Sequence, residues 1–416
     1  MTIWIIEPRD PLIVRDGRPF GPNPGARAIS LSFPFPSTTT GGVRTRAGLK
    51  NGVFDLTTEE QLNHFKRLNV RGPLLVQLTP DGDDIEQDKW LAPAPLDALL
   101  FPTDKTDSRG DRETLMRQLV PLALPEGAMT DLGGTNADNE KNLMLVGLPE
   151  PDPQKPLTGI PHYWYWETFQ NWLLNPALYN GQTKSLSELG QSGPSPEQRM
   201  HVSIDLDRAV AKDGMLFETS GLEFTTPGKN EQRLKDAQRL ALAVAVDDNH
   251  DFSHRLQEGF ASFGGERRII SWRKSNVVDL PACPTELEQT IAEKGFCRVF
   301  LLTPAYFREG HRPTELLAER NGVRPKLKAI TIQRPQVVSG WDLALRKPKP
   351  TKRLAPAGTV LFLSLEESEN EAAIRNWVRG MWMHCISDEP QSSIDGFGLA
   401  VVGTWSGQPE AMQKGQ

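Results

Sequence analysis

Short apolar runs broken by proline- and glycine-rich turns make up most of this chain. Ile3, Trp4, Ile5 and Ile6 form a run of strand length, ended by Pro8. A turn-rich segment follows, holding Asp10, Pro11, Asp16, Gly17, Pro19, Gly21, Pro22, Pro24 and Gly25. Phe33-Pro34-Phe35-Pro36 then keeps the backbone extended, because a residue before proline is pushed out of the helical region. A helix is predicted next, with Ser37 or Thr38 as its cap. Val43, Ala47 and Phe54, at i, i+4 and i+11, suit a face laid on a sheet. Gly41 and Gly42 leave the first turn without side chains. Arg46 and Lys50 share another face, and Arg44 stands roughly 200° from Arg46 around a straight helix.

From about 55 to 195 the pattern weakens. Fifteen prolines between 73 and 200 argue against long regular elements there. Leu74 to Leu78 reads as a short strand. DKTDSRGDRETL and TNADNEKN read as exposed polar loops, and 187–199 reads as a loop or linker. Trp166, Phe169, Trp172 and Leu173 repeat at helical spacing. Such tryptophans can stack bases, but at this spacing core packing is the favoured reading.

Regular alternation returns at MHVSIDLD, where His201, Ser203 and Asp205 face one side and Val202, Ile204 and Leu206 the other. A turn at Lys212-Asp213-Gly214 would lead to a second strand, MLFETSGLEF, making a hairpin. RLALAVAV at 239–246 is a buried strand or helix segment; periodicity leaves both open. Beyond 250 the plan restarts. ERRIISWRK is a strand. PTELEQTIAEKG is a helix, with Thr285 and Glu288 at capping-box spacing and Gly295 as the stop. CRVFLLTPAYF, KLKAITIQ, QVVSGWDL and PAGTVLFLSL are strands. Ile374, Trp377 and Met381 mark one stripe of another helix, and DGFGLAVVG joins a glycine loop to a final strand.

The length of 416 residues suggests two or three domains, and 38% hydrophobic residues suffice for sizeable cores. No run of 18 apolar residues occurs, so no membrane association is expected, and no secretory signal is read at the N-terminus. Cys283, Cys297 and Cys385 form neither a paired motif nor a zinc spacing, so a reducing cytoplasm is expected. A net charge of −6 speaks against nucleic acid. Its distribution does not: residues 1–50, 264–274 and 324–353 carry +4, +3 and +8. Such segregation allows one basic face on an acidic protein, although KPKPTKR at 347–353 also fits a solvated loop.

No Walker loop, HExxH, nucleophile elbow or paired-cysteine site is found. No cofactor or metal is expected. Asp247, Asp248, His250, Asp251 and His254 offer metal-type ligands, but in a polar loop a solvated turn is the simpler reading. His201 has no partner His or Lys in view. Gly41, Gly42, Arg44, Arg46 and Lys50 suit binding of anionic oxygens near a helix start. Arg267 and Arg268, beside Gly264-Gly265, suit contact with an RNA backbone, or one of them pairs with Glu266. Gly396 and Gly398 flank Phe397 and allow another backbone to approach closely; a tight turn is the alternative.

EPRDPLIVRDGRPF and SLSFPFPSTTTGGVRTRAG resemble the start of the third Cmr subunit of type III-B CRISPR effector complexes, in the RAMP superfamily. FGGERR at 263–268, VVSGWDL, PAGTVLF and GFGLAVVG extend the resemblance along the chain. It implies an α+β fold of tandem ferredoxin-like (RRM-like) domains, which with the strand pattern above places the boundary near 250: residues 1–250, with an insertion at about 55–195, and residues 251–416. It implies a non-catalytic subunit that holds the 5′ handle of the CRISPR RNA. The large polymerase/cyclase subunit and the backbone RAMP subunits would be its partners, with target RNA met indirectly. Arg15, Arg18, Ser37, Thr38, Gly41, Gly42, Arg44, Arg46, Lys50, Arg267, Arg268, Gly396 and Gly398 are the expected RNA-binding residues. RAMP relatives that cut repeat RNA often use histidine, so a metal-independent ribonuclease using His201 is the alternative. An interaction protein with no RNA role is the third reading.

Overall fold

The computed structural model describes all residues except 16–26, 51, 55–57, 108–110, 126–127, 129, 131–141, 180, 227–236, 343–346, 366–369 and 413–416. The chain forms two units, and both are discontinuous in sequence. The first comprises Met1–Gln87, Gly193–Asp279 and Val337–Arg353; the second comprises Asp88–Ser192, Leu280–Gln336 and Leu354–Gln416. The expected boundary at 250 therefore falls inside the first unit. The stretch 55–195 is not one insertion but is shared between the two.

In the first unit, β1 (Thr2–Pro8), β2 (Val70–Leu78), β5 (Gln238–Val246), β6 (Gly259–Phe263) and β7 (Arg268–Lys274) lie in the spatial order β2-β5-β1-β7-β6. Every neighbouring pair is antiparallel. RLALAVAV is thus a strand, buried throughout from Leu240 to Val246. α1 (Pro36–Ala47) connects β1 to β2. Phe35, held extended by the following proline, is its N-cap, and Pro36 takes the first helical position. Ser37 and Thr38 therefore lie inside the helix rather than capping it, and the Thr38 amide donates to Phe35 O at 2.9 Å. Gly41 and Gly42 fall in the second turn. Val43 and Ala47 are fully buried, whereas Phe54 lies past the helix in the short strand Val53–Phe54.

β3 (Ser195–Asp205) and β4 (Val210–Glu223) make the expected hairpin. Its turn lies at 206–209, not at 212–214, and β3 begins within the segment read as a linker. Arg27–Ala28 pairs in parallel with β4.

In the second unit, β8 (Phe296–Leu301), β9 (Lys326–Thr331), β10 (Val360–Ser364), β11 (His384–Cys385) and β12 (Leu399–Thr404) lie in the order β9-β10-β8-β12-β11, again all antiparallel. α2 (Trp166–Leu174), α3 (Thr285–Lys294) and α4 (Glu371–Met381) belong to this unit. Trp166, Phe169, Trp172 and Leu173 are buried, so the tryptophan helix is core. Ile374, Trp377 and Met381 enter the same core as Leu287 and Ile291, each contributing roughly 1.5–3 kcal/mol by burial. α3 stops at Gly295 in the left-handed region, φ 70°. It has no capping box: Pro284 is the N-cap, and Glu288 instead accepts from Arg379 Nε at 2.7 Å.

The proline argument overreached. Ile85–Pro93, Ala98–Thr106 and Arg112–Gln118 are strands of seven to nine residues. Pro93 ends one strand, and Pro102 stands where the pairing of Ala98–Thr106 with Arg112–Gln118 loses register, a position where a missing N–H costs no ladder bond. The described residues of the polar stretch DKTDSRGDRETL, 104–107 and 111–115, lie in the arms of this hairpin and next to its turn.

Candidate nucleic-acid interface

At the β6 edge of the first sheet, segments some 250 residues apart in sequence come together. Gly265 N donates to Ile13 O at 2.6 Å. A Cβ on Gly264 would stand 2.5 Å from Ile13 O, and one on Gly42 would stand 2.7 Å from the Phe263 ring. The glycines at these two positions thus let the N-terminal segment and α1 close onto the turn after β6. Arg15 Nη2 lies 3.7 Å from Glu266, and Arg268 Nη2 donates to Glu266 at 2.9 Å. Glu266 and Arg267 hold φ of 56° and 51°, a conformation costing side-chain-bearing residues of order 1–3 kcal/mol each. The turn raises Arg267 into solvent, with no side-chain bond to other described residues.

Each expected site residue now has a place. Arg15 and Arg268 meet at Glu266, and Arg267 stands exposed beside them. Arg18 lies outside the described residues. Ser37 and Thr38 are half-buried in the first turn of α1, Gly41 is exposed with open space about it, and Lys50 is exposed. Arg44 and Arg46 depart from expectation. Arg44 Nη2 donates to the carbonyls of Lys66 and Leu68 at 2.7 and 3.2 Å. Arg46 donates to Gln257 O, Glu258 O and Phe260 O at 3.0–3.2 Å. Charged donors make stronger hydrogen bonds than neutral ones, so both guanidinium groups tie α1 to neighbouring segments instead of standing ready for phosphate.

Gly396 and Gly398 belong to the second unit. Both are buried with positive φ, 94° and 80°. Gly398 N donates to Pro304 O at 2.8 Å, Ile386 N donates to Gly398 O at 2.9 Å, and Thr303 Oγ1 donates to Gly396 O at 2.7 Å. The backbone that approaches closely is the chain's own, because the loop packs beneath 303–306 and 386–388.

Other candidate groups are occupied locally. His201 Nε2 meets Thr219 Oγ1 at 2.8 Å, and its ring stacks on Phe217 with centroids 5.1 Å apart. Asp248 pairs with the N-terminal amine at 3.0 Å, and Asp251 with His64 at 3.0 Å. Among the described residues no group of three or more His, Cys, Asp or Glu is arranged to hold a metal ion. Burial pushes the Cys283 thiol up to about 12, with Glu288 adding to it, and burial raises Cys297 further; neither thiol is an active nucleophile.

Sequence reading missed three features. Strand β6 itself was not read. Glu7, buried on β1, accepts from Arg239 Nε at 3.1 Å and Arg273 Nη1 at 2.8 Å. Its signal was a carboxylate directly after a buried apolar run, which demands partners. In the second unit Arg298, fully buried, donates to Asp97 at 2.5 Å, Thr404 O at 2.7 Å and Trp172 O at 2.7 Å, while Trp172 Nε1 donates to Asp97 at 2.9 Å. Burial lowers the pKa of Arg298, and the Asp97 carboxylate opposes that shift.

The family model for "CRISPR-associated protein (Cas_Cmr3)" matches residues 4–405. The chain belongs to this family. It is therefore a CRISPR-associated protein of the type III-B Cmr kind, as the N-terminal motif indicated. Its solved structural relatives are distant. A chain of a type III-B Cmr-beta complex bound to cognate target RNA and AMPPnP aligns at 14% identity, with 86% of each chain covered and a TM-score of 0.43. A second Cmr-beta structure with cognate target RNA aligns at 15% identity, again over 86% of each chain, with a TM-score of 0.42. A chain of the Csm3–Csm4 subcomplex of a type III-A interference complex aligns at 10% identity, over 88% of this chain and 94% of that one, with a TM-score of 0.34. No curated protein matches. Among the described residues no helix is long and apolar enough to cross a membrane.

Proposed function

We propose that this chain is the RNA-binding, non-catalytic subunit of a cytoplasmic type III-B effector complex that holds the 5′ handle of the CRISPR RNA. In this reading it bridges the large polymerase/cyclase subunit and the backbone filament, and meets target RNA only through the guide. The observation that carries it is the meeting of the N-terminal motif with the GGERR turn. Both stretches carry the family resemblance, and they converge on one edge of one sheet. Phosphate contacts supply affinity and register without reading bases, and this edge has the guanidinium groups for them.

The same reading takes both sheets as ferredoxin-like. Numbered along the chain, β1, β2, β5 and β7 lie in the order 4-1-3-2, and so do β8, β9, β10 and β12, which is the split βαβ arrangement. In the first copy α1 and the short helix Glu59–Phe65 lie between the first two of these strands; in the second, α4 and the short helix Pro390–Ile394 lie between the last two. The ribonuclease alternative lacks support from His201, whose ring meets Thr219 and Phe217 and has no acid–base partner among the described residues.

The test is co-expression with the neighbouring subunits, followed by sequencing of the retained RNA. A common 5′ end derived from the repeat is expected; heterogeneous 5′ ends would overturn handle binding. The purified chain should also leave repeat RNA intact with and without divalent metal. Cleavage abolished by His201→Ala would establish the ribonuclease instead.

A further inference from the structure

We infer that Phe260, on edge strand β6, is a stacking platform for one unpaired nucleobase of the bound RNA. This rests on the RNA-binding reading above and adds a specific subsite to it.

The pairing register of β6 with β7 fixes which side chains share a face. Phe260 stands opposite Ser271, and Ser262 opposite Ile269. Phe260, Ser262, Ile269 and Ser271 therefore point to one side, and Phe263, Ile270 and Trp272 to the other, where they are buried. Phe260 and Ile269 are diagonal neighbours, within reach of an aromatic ring. Yet Phe260 is 65% exposed and Ile269 48%. Two large apolar side chains thus lie open on a sheet edge with hydroxyls beside them.

The surroundings favour nucleic acid as the occupant. The strand turns directly into Gly264-Gly265-Glu266-Arg267-Arg268, and Arg15 joins this turn from the N-terminal segment. Arg15 and Arg268 pair with Glu266, Asp10 accepts from Ile269 N at 3.3 Å, and Arg267 stands exposed, so three guanidinium groups meet two carboxylates at this turn and cations are in excess. An aromatic face flanked by cationic groups and hydroxyls is the arrangement that binds single strands, the cations tracking phosphates while the ring stacks a base. Arg46 anchors the backbone beneath the ring: its bonds to the carbonyls of residues 257, 258 and 260 tie this part of the strand to α1.

The test uses the full chain and repeat-derived single-stranded RNA carrying 2-aminopurine at successive positions. The wild type should quench one position, and Phe260→Trp should retain this quench. Phe260→Ala and Phe260→Leu should lose the quench and bind about 5- to 150-fold more weakly, the equivalent of the ~1–3 kcal/mol of a stacked base. Thermal melting should be unchanged because the side chain is largely exposed. Wild-type affinity and quench in Phe260→Leu would overturn the proposal, since a merely apolar contact would then suffice. So would Phe260→Ala that binds RNA normally but loses a co-purified protein subunit, which would make this edge a protein interface. A wild-type chain that binds no RNA would instead overturn the RNA reading and this inference with it.

Discussion

Arg298 and Asp97 are both fully shielded from solvent. All three guanidinium nitrogens have acceptors, and the Asp97 carboxylate has a second donor in Trp172. Removing one member of such a pair leaves the other charge buried and uncompensated. Asp97→Ala is therefore expected to cost about 3–5 kcal/mol in urea unfolding; a loss below about 1 kcal/mol would show that water reaches Arg298. Gly398 is a parallel case. A Cβ there would stand 2.9 Å from Ser387 N at φ 80°, so Gly398→Val should melt well below the wild type, and wild-type melting would return the loop to the list of contact sites. One half of each constellation was legible: an arginine inside CRVFLL and two glycines around Phe397. The partners were not. Asp97 stands 201 residues from Arg298 in sequence, and Ser387, though close to Gly398 in sequence, is set against it only by the way the loop folds back.

At the scale of elements, α1 shows how one helix can look like a binding site and act as a clamp. Arg44 and Arg46 were both expected to contact RNA, although their spacing points them nearly opposite ways around the helix. The structure gives both to the protein, one to 66–68 and one to 257–260. The two glycines divide differently. Gly42 faces the Phe263 ring, whereas Gly41 has nothing within 4 Å. Gly41→Ala should stabilise the chain by about 0.5–1 kcal/mol through helix propensity, and Gly42→Ala should destabilise it by collision. Chemical denaturation of the two variants decides this; equal effects would mean that Phe263 yields. If Gly41→Ala also weakens RNA binding, the open helix face is part of the interface. Helices with a clear apolar stripe, α2 and α4, were readable because their cores lie on one side. Strands around proline were not, since a strand end or a register shift tolerates proline where a central position does not.

For the whole molecule, segregated charge predicted a basic face, but it did not show which cations are free to act. Arg44, Arg46, Arg239 and Arg273 spend their guanidinium groups on carbonyls or on Glu7. Arg15 and Arg268 share Glu266, and Arg267 and Lys50 stand exposed. Two kinds of basic residue should therefore separate in one experiment, RNA affinity measured against salt concentration alongside thermal or chemical unfolding. Arg267→Ala should lower the salt slope by about one, as loss of one phosphate contact does, with no change in melting. Arg44→Ala should do the reverse. It removes a charge-assisted bond worth about 1.5–3 kcal/mol of stability, and any RNA still bound by the folded protein should keep its salt slope. Glu266→Gln should strengthen binding at low salt by releasing Arg268 to phosphate. An unchanged slope in Arg267→Ala together with a reduced slope in Arg44→Ala would move the interface from the GGERR turn to the far side of α1, where 66–68 pack.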